Sequence, residues 1–367
     1  MTNTLPIPTP DPMPLPAPVW LLYALLMLTF TLHVLAMNMA LGGSVIAAVS
    51  KLRRNSSEFT GELGAHLGRI LPVILAFTIT LGVAALLFVQ VLYGPLLYSS
   101  SILIGAAWIS VIGLLIVGYY AFYWSSIRQS TMAAVFGASV LVAIGFIYSN
   151  NMSLMLTPER WRDLYAASAA GLNFNFGERT LIPRYLHMLL GALAVGGLLI
   201  VVLGLRERVP EFRNWLIRHG ANWFAIATAI NIVIGSWFLL ALPPHVLPAL
   251  MQSIPAVTLI TLTFLLAIGA IVHLLLAKNG GDKSARRAVV GIGMTVATVA
   301  AMIFVRDMVR TAYLQPHYRL SDLPVQPQWG IIALFLLLFV AGLATLGWML
   351  RKLATAEPQA AARAADQ

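Results

Sequence analysis

The chain has 367 residues, of which 59% are hydrophobic and 10% charged, and its mean hydropathy is +0.85. A soluble globular chain is nearer half apolar and a quarter charged, so these values exclude a soluble enzyme, a disordered tail and a disulfide scaffold. The net charge of +10 reads as basic cytoplasmic loops of a membrane protein rather than as a nucleic-acid footprint, and the lack of cysteine excludes disulfides, covalent c-type haem attachment and iron–sulfur ligation in this chain.

The first 18 residues carry a proline at every second position from Pro6 to Pro18. Such a segment cannot be helical and is expected to be extended. It has no Lys or Arg, so it lacks the basic start of a signal peptide, and the first apolar run is expected to stay in the protein. A bilayer-crossing helix needs about 20 apolar residues. Nine runs qualify: 20–49, 70–97, 102–124, 132–154, 183–205, 222–242, 254–277, 289–308 and 330–350. The expected fold is therefore an all-α integral membrane protein of nine transmembrane helices. Its parts are a Pro-rich segment (1–18), a membrane domain (19–352) and a tail (353–367). No internal repeat stands out in the sequence.

With the N-terminus placed outside, 16 of the 23 Lys and Arg fall in inside loops and 7 in outside loops. This asymmetry favours an N-outside, C-inside topology. The sequence reads as a multi-pass protein of a bacterial inner (cytoplasmic) membrane. The main outer loops are 155–182 and 309–328; the 243–253 connection is short.

Polar groups within apolar runs are costly in lipid and usually paired or functional. Twelve of the thirteen acids lie in loops or tails, and only Asp307 sits at the edge of a run, flanked by Arg306 and Arg310. The plainer reading of these three is an interfacial ion-pair cluster. His33 falls near mid-membrane in the first span, and His187 lies near the start of the fifth. His273 is near the inner end of the seventh. A lone histidine in a buried helix is most often a hydrogen-bonded structural residue, but neutral imidazole is also the common protein ligand of haem iron. Small residues follow both His33 (Ala40, Gly42, Gly43) and His187 (Gly191, Ala192, Ala194, Gly196, Gly197). They suit close helix packing and equally leave room for a flat macrocycle. The aromatic outer loop GLNFNFGERT (171–180) could meet a partner or a quinone headgroup, an ordered loop being the plainer reading.

Several of these stretches resemble subunit I of cytochrome bd-type quinol oxidases. They are His33 with LAMNMALGGS, TITLGVAAL (78–86), SNNMSLMLTP (149–158), RYLHMLLGALAVGG with His187, and RDMVRTAY with Asp307 and Arg310. The resemblance implies nine spans and haem b as cofactor. His187 would be an axial ligand of a low-spin haem, and His33 of a haem in an adjoining two-haem pocket. Asp307 would be a carboxylate ligand to the other pocket haem, with Arg310, beside Arg306, holding a propionate or structuring the pocket. Met251 would be the second ligand at the low-spin haem, with His245 as its alternative. The long loop after the sixth span is missing. So are the third-span carboxylates, in whose place an alignment puts Ile112 and Tyr120. Reducing O₂ to water consumes protons, so this departure weighs against an oxygen reductase. The resulting expectation is a b-haem subunit of a respiratory electron-transfer complex. It would exchange electrons between quinone or quinol and a partner on the outer face, naturally a c-type cytochrome, within a complex of other subunits. A bd-like quinol:O₂ oxidase subunit is the alternative within the class; a transporter or a haem-free scaffold subunit is the alternative outside it.

Overall fold

A computed structural model describes residues 13–168, 170–278, 280–281, 283–315 and 317–365, apart from the side chains at 346, 350 and 353–365. The expected extended form of the first twelve residues lies outside the described residues. The helices are α1 (Val19–Leu52), α2 (Glu58–Leu103), α3 (Gly105–Arg128), α4 (Thr131–Leu156), the short α5 (Trp161–Ala167), α6 (Leu181–Arg206), α7 (Pro210–Leu240), the short α8 (Val246–Met251), α9 (Ile254–Ala277), α10 (Ser284–Leu314) and α11 (Trp329–Ala365). Among the described residues nine helices are long and apolar enough to cross a membrane, one for each apolar run. The protein is a multi-pass membrane protein.

Two helices begin well before their apolar runs. α2 starts at Glu58, where Ser57 accepts from the Thr60 N–H, and α7 at Pro210, which occupies the first turn with its φ already set for a helix. α10 ends at Leu314, six residues beyond the expected end at 308. Asp307 therefore lies inside a helix and not at its edge. In α2, Pro95 withholds the N–H that Val91 would accept, and the chain leaves helical geometry at Tyr93 (φ −130°, ψ 27°).

From Tyr23 to Arg319 the chain forms one compact unit. Several of its helices approach closely at glycines. Gly42 of α1 lies against the main chain of Ala192 and Gly196 in α6, and a Cβ on Gly196 would stand 2.5 Å from the Gly42 carbonyl carbon. Gly197 and Gly220 set α6 on α7 in the same way. Without a hydrophobic force between helices in lipid, such close approach is what holds a bundle together.

These contacts reveal a repeat that was not evident in the sequence. His33 and His187 are each followed nine and ten residues later by a Gly pair, Gly42–Gly43 and Gly196–Gly197. The two stretches are 154 residues apart, and equivalent positions touch: Gly42 meets Gly196, and Met152 accepts from Arg306 at 3.4 Å, again 154 residues on. Contact between equivalent positions is the mark of a pseudo-two-fold axis. α1, α2 and α4 thus correspond to α6, α7 and α10.

The second unit joins residues 13–22 to 320–365. Leu15 pairs with Val325 in an isolated parallel bridge, and the Leu15 N–H donates to the Pro324 carbonyl at 2.7 Å. Residues 13–18 are thus non-helical, with Leu15 in the bridge and a bend at Pro16–Ala17 before α1. α11 continues past its apolar run to Ala365, through the stretch expected as a tail.

Candidate functional site

The two histidines occupy equivalent seats. His33 leaves α1 toward α2, where a Cβ on Gly82 would lie 2.8 Å from its Cε1 and 3.0 Å from its Nδ1. The missing side chain lets the ring reach the main chain, and Nδ1 stands 3.1 Å from the carbonyl of Thr78, four residues before that glycine. His187 leaves α6 toward α7, where a Cβ on Gly235 would lie 3.0 Å from its Cε1 and 3.1 Å from its Nδ1. Four residues before this glycine stands Asn231, whose carbonyl and side-chain amide lie beside the ring. The Nδ1 of His187 nevertheless closes no hydrogen bond of ordinary geometry. Each histidine lies nine residues before the Gly42–Gly196 contact, about 13 Å along its helix at 1.5 Å per residue. They therefore stand at the same level of the bundle.

A charged cluster lies nearer the end where α6 begins and α10 finishes. Asp307 and Arg310 form an ion pair, and Asp307 accepts from the Tyr23 hydroxyl at 2.6 Å on its other oxygen. Both are buried, Arg310 to 2% and Asp307 to 6% exposure, so the pair faces the inside of the bundle and not the surface of the protein. The Arg310 guanidinium lies 4.1 Å from the Tyr93 ring centre, and its Nε and Nη1 have no acceptor. Arg306 sits 4.5 Å over Phe30, whose ring is 6.3 Å from that of His33. Arg306 is close enough to Arg310 and Arg184 to be repelled by both. Arg184, on α6 one turn before His187, donates to Thr180 at 3.3 Å, stacks on Phe238 at 5.1 Å and leaves its buried Nε unpartnered. Three guanidiniums thus lie near two carboxylates, Asp307 paired with Arg310 and Glu178 close to Arg184, and buried charge without a full set of partners is expensive.

Sequence reasoning missed Arg184, Asn231, Gly82 and Gly235, since their roles depend on which helices become neighbours. The His-x8-Gly-Gly spacing was the available signal. Met251 ends α8 at 46% exposure, and no contact described for it joins it to His187. His245 stands edge-on to Tyr313 of α10, with ring centres 6.3 Å apart. Ile112 and Tyr120 are 67% and 66% exposed on the outer apolar surface of α3, so they do not occupy interior positions. The interior face of α3 carries Val111, Gly118 and Phe122, and no Asp or Glu occurs anywhere in this helix. The 171–180 loop is tied down by Asn175. Its N–H donates to Asn150 at 2.7 Å, and its Nδ2 donates to Ser153 at 3.0 Å and Thr157 at 3.1 Å.

The residues suit a haem at the histidines better than at the carboxylate. An iron-ligating imidazole binds through one nitrogen while the other donates to a carbonyl or carboxylate. His33 has that arrangement, with Nδ1 on Thr78 and Nε2 left over. His187 repeats the seat, and its Nε2 lies on the far side from Gly235. Asp307, by contrast, has both oxygens engaged by Tyr23 and Arg310, and as an iron ligand it would compete with them. Among the described residues no group of three or more His, Asp and Glu could hold a bare metal ion.

No protein-family model matches the chain, and no curated protein matches it in sequence. Its fold is similar to a chain of the bd oxidase from Geobacillus thermodenitrificans, with a TM-score of 0.67 over 92% of this chain and 99% of that one, at 11% identity. The likeness is one of fold.

Proposed function

We propose that the protein is a b-haem membrane subunit of a respiratory electron-transfer complex. It would exchange electrons between the quinone pool and a partner, naturally a c-type cytochrome at the outer face of a bacterial inner membrane. The observation that carries this reading is the paired seat of His33 and His187. Each is set against a glycine of the next helix, at one level, with a ring nitrogen left for a ligand. The bd-oxidase fold supports it at the level of class.

A bound haem would supply one-electron chemistry between ferrous and ferric iron. His187 and His33 would hold it through Nε2. Arg310 and Arg184, each with a buried N–H that lacks an acceptor, would hold propionates, with Arg306 beside them. Asp307 would keep Arg310 in place and Tyr23 would keep Asp307. Met251, or His245 in its stead, would be the second ligand at His187. The N-terminus would lie outside and residues 353–367 inside, with 19–352 as the membrane domain. The bd-oxidase fold favours a second reading, a quinol:O₂ oxidase subunit. We place it second because α3 has no acid to relay the protons that water formation consumes.

The reading is tested by the reduced-minus-oxidised visible spectrum of purified His187→Ala and His33→Ala proteins. Each substitution should remove one b-type component, and unchanged spectra in both would refute the ligand assignment. A chlorin-type d band together with oxygen uptake would put the second reading first.

A further inference from the structure

The α6–α7 seam holds two buried polar atoms that lack partners, Nδ1 of His187 and Oδ1 of Asn231. Buried polar groups in folded proteins are almost always paired. Here the donor and the acceptor are both spare, and Asn231 lies beside the imidazole. At the equivalent seat, His33 already has its Nδ1 on the main-chain carbonyl of Thr78, while the Thr78 hydroxyl is turned back to the Ile74 carbonyl at 2.8 Å. Both seats therefore place a main-chain carbonyl beside the ring, and they differ in the side chain: in the first it is spent on its own helix; in the second an amide oxygen is also free to accept.

We infer that Asn231 is a positioning residue for His187: its side-chain oxygen accepts the Nδ1–H, fixes the tautomer and leaves Nε2 for an axial ligand position. The inference rests on the haem reading above. Asn231 does not touch the iron; it acts through the imidazole. An acceptor on Nδ1 raises the basicity of a ligating histidine and steadies its ring, and hydrogen bonding around the ligand is one of the levers that set a haem potential. Gly235 contributes by leaving the space in which ring and amide meet, and Gly191, from whose Cβ position the Asn231 Nδ2 would be 3.5 Å away, leaves room on the α6 side. Asn231 would tune one haem by its side chain. The other would be set by a main-chain carbonyl that no substitution at position 78 removes.

The test is a redox titration, with ferric low-spin EPR, on the purified full-length protein and its Asn231→Asp, Asn231→Leu, Thr78→Val and His187→Ala variants, haem content being measured for each. Asn231→Asp is nearly isosteric and should lower the midpoint potential of the component lost in His187→Ala. Asn231→Leu should raise it, and Thr78→Val should leave both components in place. The opposite signs separate a hydrogen-bonding role from an added charge or a packing role, neither of which moves the neutral variant upward and the acid downward. Wild-type potentials and g values in both Asn231 variants would overturn the inference while leaving the ligand intact. A His187→Ala protein with an unchanged spectrum would instead overturn the haem reading on which it stands.

Discussion

The ring of His33 rests on the main chain of α2 at Gly82, where an added methyl would sit 2.8 Å from Cε1. The ring cannot be moved away without giving up its 3.1 Å contact with the Thr78 carbonyl. A glycine in a transmembrane helix usually serves helix packing; this one serves a side chain. Gly82→Ala should therefore remove the haem component assigned to His33 while the protein still elutes as a monodisperse peak. Overpacking of this kind costs about 1–3 kcal/mol, which the bundle should survive. Gly235→Ala should do the same to the His187 component. Retention of both components in both variants would break the link between glycine and histidine.

The α1–α6 contact is less forgiving. A side chain on Gly42 or Gly196 meets main-chain atoms, which cannot rotate out of the way as a side chain can. Gly42→Ala and Gly196→Ala should each lower thermal stability by about 3 kcal/mol, at the top of the usual overpacking range. Because the two positions face each other across the pseudo-two-fold axis, the double variant should be worse than either single one. The midpoint of thermal unfolding in detergent checks this, and a wild-type midpoint in the single variants would count against the packing described.

The buried pair of Asp307 and Arg310 should behave as a unit with Tyr23. Removing one charge strands the other, at about 3–5 kcal/mol, so Asp307→Asn and Arg310→Gln should each destabilise strongly and the double substitution less than their sum. Tyr23→Phe removes only the 2.6 Å hydrogen bond to the carboxylate. Its cost should be smaller, about 1–3 kcal/mol. A double-mutant cycle on thermal stability measures the coupling, and additivity would show that the pair is not energetically linked.

Tyr318 gives a pH signature just beyond the end of α10. Its hydroxyl donates to the Leu92 carbonyl at 2.6 Å, and burial pushes its pKa up to about 12. A pKa raised by folding means that the folded state holds the proton more tightly. The contribution is then fully present below the ordinary tyrosine value, about 10, and is lost as the pH rises toward about 12. The stability difference between the protein and its Tyr318→Phe variant should be constant up to about pH 9 and shrink from there. A difference that grows between pH 10 and 12 would contradict the assignment.

Much of the architecture could be read from the sequence because lipid imposes a simple rule: each apolar run of sufficient length became a helix. The ends were harder. Glu58 and Pro210 start helices in polar sequence, where a cap or a first-turn proline and not hydropathy marks the start, and α10 carries Asp307 inward because Arg310 and Tyr23 satisfy it. His33 and His187 were visible as rare polar groups in apolar runs. Their seats were not, because Gly82, Asn231 and Gly235 matter only once α2 packs on α1 and α7 on α6. The repeat was legible in principle as His-x8-Gly-Gly, but its meaning came from Gly42 touching Gly196. Ile112 and Tyr120, which the resemblance aligned with the missing third-span carboxylates, lie on the outward surface of α3, a facing not legible in the sequence.

The most direct test of the account is the visible spectrum of the purified protein together with its pyridine haemochrome stoichiometry. The account predicts reduced b-type bands and at least one haem b per chain, with low-spin character lost in His187→Ala. A purified, folded protein with no haem bands would contradict it and leave a haem-free scaffold.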